Sequence, residues 1–139
     1  MHKAKAIVIG CIDFRFRGAI DKFLQTQEFG DSYDLINIAG GSRDFISPVE
    51  TADGQYVWKQ LELSLKLHDP DMIVFIDHQD CGGYAQDGTI PGGLVLQEDM
   101  DKHKEFLQKL QIIVAGKYPG KILKAFHADL EGNVHVLIP

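Results

Sequence analysis

Three short apolar runs decide what this chain can fold into. Ala6-Ile7-Val8-Ile9, Asp34-Leu35-Ile36-Asn37-Ile38 and Met72-Ile73-Val74-Phe75-Ile76 are rich in β-branched and aromatic residues, and read as strands buried on both faces. Strands of that kind lie in parallel sheets, and parallel neighbours need a crossover connection, usually a helix. Between the first two runs, Ile20, Phe23, Leu24 and Gln27 repeat at helical spacing, with Gly30 as a stop signal. The segment before the third run is ambiguous. Leu61-Glu62-Leu63-Ser64-Leu65-Lys66-Leu67 alternates like a strand, yet Leu, Glu and Lys are helix formers and a crossover is required there, so a helix is expected.

After Pro91-Gly92-Gly93, the residues Leu96, Met100, His103, Leu107, Leu110 and Val114 form one helical stripe closed by Gly116 and Pro119. Ile122 to His127 then reads as a strand, Asp129 to Asn133 as a turn, and Val134 to Ile138 as a hairpin return. The expected fold is therefore α/β: a three-layer open sheet, mostly parallel, of order 2-1-3-4 with an antiparallel C-terminal edge strand, in a single domain over residues 1–139.

Composition narrows the function classes. With 45% hydrophobic and 24% charged residues the chain is of ordinary globular make-up. A net charge of −6 without a basic stripe argues against nucleic acid or an anionic membrane as partner. No apolar run is long enough to span a bilayer, and the N-terminal residues lead into a strand rather than a signal peptide, so the expected location is the cytoplasm. In that reducing compartment Cys11 and Cys81 are candidates for core packing, redox chemistry or metal ligation rather than a structural disulfide.

In open parallel sheets the ligand site lies beyond the carboxyl ends of the strands. Cys11-Ile12-Asp13-Phe14-Arg15 follows the first strand, and His78-Gln79-Asp80-Cys81-Gly82-Gly83 follows the third. If those strands are neighbours, Cys11, His78 and Cys81 converge as two thiols and an imidazole, a set suited to zinc with a fourth position open. The alternative is two buried core thiols and a hydrogen-bonded loop histidine, because a His-x-x-Cys pair is a loose pattern.

The first cluster resembles the C-x-D-x-R motif of β-class carbonic anhydrases, and the second resembles their H-x-x-C-G motif. Asp34 through Gly41 is similar to that family's second strand and Ala-Gly turn, and Ala125 through His135 to its closing hairpin. The resemblance implies that Cys11, His78 and Cys81 bind zinc, that Asp13 orients the attacking hydroxide, and that Arg15 orients Asp13. It implies reversible hydration of carbon dioxide to bicarbonate, in a homodimer or higher homo-oligomer. Rival readings are a zinc hydrolase for carbonyl sulfide or carbon disulfide, a non-catalytic zinc protein closed by Asp13, and a metal-free redox protein cycling a Cys11–Cys81 disulfide.

The chain also departs from the family pattern. Phe14 stands where serine is usual, Asn37-Ile38 where Arg-Asn is usual, Gly41 where asparagine is usual, and Asp77 where glycine is common. The family's N-terminal helical arms are not expected in residues 1–139, which lead directly into the first strand. Outside the motifs, His103 is expected to be a satisfied, partly buried histidine, and His127 and His135 surface or packed residues. Tyr56 and Trp58 are expected to pack a helix onto the sheet or to line a dimer contact.

Overall fold

The N-terminal β-branched run forms β1 (Ala6–Gly10), buried along its whole length because strands flank it on both sides. In this computed structural model, which describes residues 2–139, β2 (Tyr33–Asn37), β3 (Met72–His78), β4 (Ile122–Ala128) and β5 (Val134–Ile138) complete one sheet. Its order is β2-β1-β3-β4-β5, with β5 antiparallel to β4 and the other pairs parallel, as expected. Register places Gly10 beside Asn37 and Ile76, so β1 and β3 deliver the residues that follow them to the same end of the sheet.

Helices cover both faces. Alternate strand residues Ile7, Ile9, Ile73 and Phe75 pack with Val57 and Leu61 of α3 (Thr51–His68) and with Leu107, Leu110 and Val114 of α5 (Leu96–Lys117). On the other face Val8, Val74 and Ile76 meet Ile20 and Leu24 of α1 (Arg17–Gln25), together with Phe16 and Phe29. The strand-like alternation at 61–67 is helical: Val57, Leu61 and Ser64 fall on one buried face, and Leu63 and Leu67 are left exposed.

Three local expectations are corrected. β2 takes the edge position that the expected order gave it, but it is not buried on both faces: Leu35 is 51% exposed. α1 stops at Thr26, whose hydroxyl donates to the Phe23 carbonyl, rather than at Gly30. Tyr56 is exposed and does not pack on the sheet, which leaves the alternative of a dimer contact, while Trp58 does pack, edge-on to Phe45, and donates to its carbonyl. Two one-turn helices, α2 (Arg43–Ile46) and α4 (Gly82–Ala85), were not signalled by any periodicity.

Candidate metal centre

Cys11 lies one residue beyond β1, His78 is the last residue of β3, and Cys81 precedes α4 after a two-residue turn. Their ligand atoms all lie within 4.8 Å of one another, and all three residues are buried. The His78 Nδ1 faces the Gln79 carbonyl at 2.7 Å; a carbonyl only accepts, so Nδ1 carries the proton and Nε2 a lone pair. Phe16 stacks on the ring at 4.2 Å and fixes its plane. Nε2 itself is buried with no hydrogen-bond partner among the described residues. An orphaned buried acceptor costs about 1–3 kcal/mol, and a metal ion would satisfy it. Two sulfurs and one such nitrogen are the donor set of a zinc site with room for a further ligand, so the residues fit that ion.

The thiols act as a pair. The Cys81 thiol beside it, helped by His78 and the Gly40 N–H at 3.4 Å, holds Cys11 well below the ordinary thiol range against the effect of burial. The same pairing, together with burial, pushes Cys81 up. Burial pulls the His78 imidazole down, but the Cys11 sulfur, the Gln79 carbonyl and Asp13 outweigh it and raise it.

Asp13 and Arg15 sit beside these groups. Asp13 Oδ1 accepts from the Arg15 backbone N–H at 3.0 Å, and the guanidinium reaches the carboxylate through Nε at 3.1 Å and Nη2 at 2.8 Å. This pairing holds the Asp13 carboxyl below its usual range. Asp13 Oδ2 is 3.8 Å from His78 Nε2. The other side of the guanidinium meets Asp80, with Nη1 on Oδ2 at 3.2 Å and Nη2 on the carbonyl at 3.1 Å. A cavity of about 380 Å³ opens here, lined by Cys11, Ile12, Asp13, Phe14, Arg15, Ala39, Gly82 and Gly83. The structure therefore brings together every residue singled out from the two motifs.

Behind the centre lies a buried polar chain that the sequence did not reveal. Asp77 Oδ2 accepts from the Ser42 hydroxyl at 2.7 Å and meets His103 Nδ1 at 2.8 Å, and Ser42 also bonds Tyr84. Burial pushes the Asp77 carboxyl up, but these bonds outweigh it and hold it below the usual range. His127 Nε2 bonds Asp99 Oδ1 at 2.7 Å, with His103 Nε2 3.4 Å from the same oxygen. His103 is thus fully rather than partly buried, and His127 is a packed residue, both members of this network. Asp99, His103 and His127 could also be read as a metal triad. A 2.7 Å contact is a direct hydrogen bond, however, shorter than the roughly 3.3 Å between two ligands of one zinc. The only sequence signal was Asp99 four residues before His103 on the buried stripe of α5. Arg43 is a second buried surprise, its guanidinium bonded to Asp87, Gly83 and Thr89.

A family model described as "Putative carbonic anhydrase" matches residues 1–137. A protein of Rickettsia bellii (strain RML369-C), described as uncharacterized, is 26% identical over 134 residues, covering 96% of this chain and 82% of its own length. The solved structures of two tetrameric beta-carbonic anhydrases from Sordaria macrospora include one that superposes with a TM-score of 0.64 at 15% identity. That match spans 99% of this chain and 82% of the other. The apo form of a carbon disulfide hydrolase gives a TM-score of 0.55 at 15% identity, over 94% and 76%. At such identities the likeness is one of fold.

Proposed function

The chain belongs to the "Putative carbonic anhydrase" family, and from that premise we propose that it catalyses the zinc-dependent, reversible hydration of carbon dioxide to bicarbonate. The observation that carries the reading is the orphaned Nε2 of His78, set between two thiols and beside an arginine-held carboxylate. Cys11, His78 and Cys81 would hold the ion. Zinc bound there supplies Lewis acidity, which lowers the pKa of water enough to provide a nucleophile near neutral pH.

The chain's own groups do the rest. Arg15 keeps Asp13 ionised and fixes its plane, so Asp13 can accept a hydrogen bond from the attacking hydroxide and aim its lone pair. Ile12 and Ala39 give the cavity apolar walls, and the glycines at 82 and 83 leave it space. A small linear apolar molecule suits such walls. The same feature, with the likeness to a carbon disulfide hydrolase, supports hydrolysis of carbon disulfide or carbonyl sulfide as the second reading. We take residues 1–139 to work as one domain, in the cytoplasm, as a homodimer or higher homo-oligomer. The edge strand β2, with Leu35 exposed, offers it a contact.

Stopped-flow measurement on zinc-loaded protein tests the reaction. Carbon dioxide hydration should exceed the uncatalysed rate and rise from neutral to alkaline pH. Fully bound zinc with no hydration at any pH would remove this reading.

A further inference from the structure

We infer that Asp80 is a positioning residue: it anchors the Arg15 guanidinium and so keeps Asp13 turned away from the metal position. The inference rests on the reading of Cys11, His78 and Cys81 as a metal centre with Asp13 beside it. It starts from a backbone outlier. Asp80 has φ +57°, the left-handed region that costs a residue with a Cβ roughly 1–2 kcal/mol and that glycine enters freely. Such strain persists where the surroundings over-determine it, commonly at functional sites.

Here the surroundings do so completely. The Asp80 N–H donates to Asp99 Oδ2 at 3.2 Å, and its Oδ1 accepts from the Gly93 N–H at 3.0 Å. Its Oδ2 and its carbonyl both accept from Arg15, at 3.2 and 3.1 Å. Asp99 is fully buried and tied to His127, so the amide anchor is rigid. The residue before the candidate ligand Cys81 is thus fixed by the core on one side and grips Arg15 with the other.

The guanidinium is consequently shared. Nε and Nη2 serve Asp13, while Nη1 and Nη2 serve Asp80. Asp13 Oδ2 is already 3.8 Å from His78 Nε2, against roughly 3.3 Å for two ligands of one zinc. Only a small shift separates Asp13 as hydrogen-bond acceptor from Asp13 as ligand. Arg15 lies two residues from Asp13 and would follow that shift unless something else holds it. Asp80 is what holds it.

The test reads the fourth coordination position without relying on turnover. The full chain is loaded with cobalt(II), and azide binding is titrated by visible absorption in wild type, Asp80→Asn, Asp80→Gly, Asp13→Asn and Asp13→Asn/Asp80→Asn. Both Asp80 variants should weaken azide about two- to fivefold, the range of a partly exposed ion pair, because Asp13 now competes for the position. Glycine suits the left-handed backbone, so Asp80→Gly relieves strain and guards against a mere folding defect. In the Asp13→Asn background Asp80→Asn should change nothing, since the competitor is gone. Wild-type azide affinity in both Asp80 variants, or equal weakening with and without Asp13, overturns the inference. A wild type that takes up no cobalt overturns the metal centre and this inference together. A wild type that binds cobalt and azide but never hydrates carbon dioxide removes the substrate assignment alone, and the Asp80 comparison still decides the inference.

Discussion

Replacing Gly83 by Ala adds one methyl at the tightest backbone contact beside the cavity. The new Cβ would stand 2.5 Å from both the Cα and the N of Gly40, and 3.0 Å from the Ala39 carbonyl carbon. Carbon atoms in contact settle at about 3.5–4.0 Å, so one backbone segment must retreat by roughly 1 Å. Neither yields easily. Gly40 has φ +86° and its N–H holds the Cys11 sulfur, while the Gly83 carbonyl is bonded to the buried Arg43 at 2.8 Å. Overpacking of this kind costs about 1–3 kcal/mol, offset by at most about 1 kcal/mol of helix propensity in a one-turn helix. The net loss of about 1–2 kcal/mol should lower Tm by roughly 3–8 °C in a chain of this length. Zinc affinity should fall with it, because Cys81 caps the helix that carries Gly83 and the Cys11 sulfur is held by the Gly40 N–H. The neighbouring residue is the control: a Cβ at Gly82 meets nothing within 4 Å, so Gly82→Ala should leave Tm unchanged or slightly raised. Calorimetry and zinc titration of both variants decide the matter. A Gly83→Ala protein that melts at or above wild type, or a Gly82→Ala protein that loses as much, refutes the reasoning.

Arg15→Ala should keep zinc but lose about a hundredfold in carbon dioxide hydration, the usual worth of a positioned proton acceptor; an active variant would remove the roles given to Asp13 and Arg15. Asp129 organises the last hairpin, its Oδ1 accepting from Glu131 and Asn133 N–H at 2.9 Å and its Oδ2 facing His135 Nε2 at 2.7 Å. Burial pushes its carboxyl up, but these bonds win and hold it at about 2. Because the folded value lies below the unfolded one of about 3.9, its stabilisation is complete above that pH and is lost as pH falls through about 2. Asp129→Asn should therefore cost about 1–2 kcal/mol near neutrality, and its Tm deficit should shrink between about pH 5 and about pH 2; a deficit that stays constant contradicts this.

What the sequence disclosed follows from the range of the forces involved. β1 and β3 were legible as unbroken apolar runs and α5 from its helical stripe, α3 only from its helix formers and the need for a crossover, and Cys11, His78 and Cys81 because two compact motifs end two strands. The exposure of β2 was not: the expected order put it at the edge, but an apolar run such as Asp34 to Ile38 does not say how fully helices will cover it. α2 and α4 are single turns, too short for any period to show. The chain from Ser42 through Asp77 and His103 to Asp99 and His127 is assembled by α5 packing on β3 and β4. Each of those side chains looks ordinary until its partner, tens of residues away, is in place. The grip of Asp80 on Arg15 was hidden for the same reason, although both residues stood inside the quoted motifs.

The donor set of the metal decides whether Cys11, His78 and Cys81 form the centre. X-ray absorption at the zinc edge of the reconstituted full chain reads it directly. The predicted first shell is two sulfurs at about 2.3 Å and one imidazole nitrogen at about 2.0 Å with one further light atom, and it should vanish in Cys11→Ser/Cys81→Ser. A shell of nitrogen and oxygen alone, or one unchanged in the double variant, would contradict it.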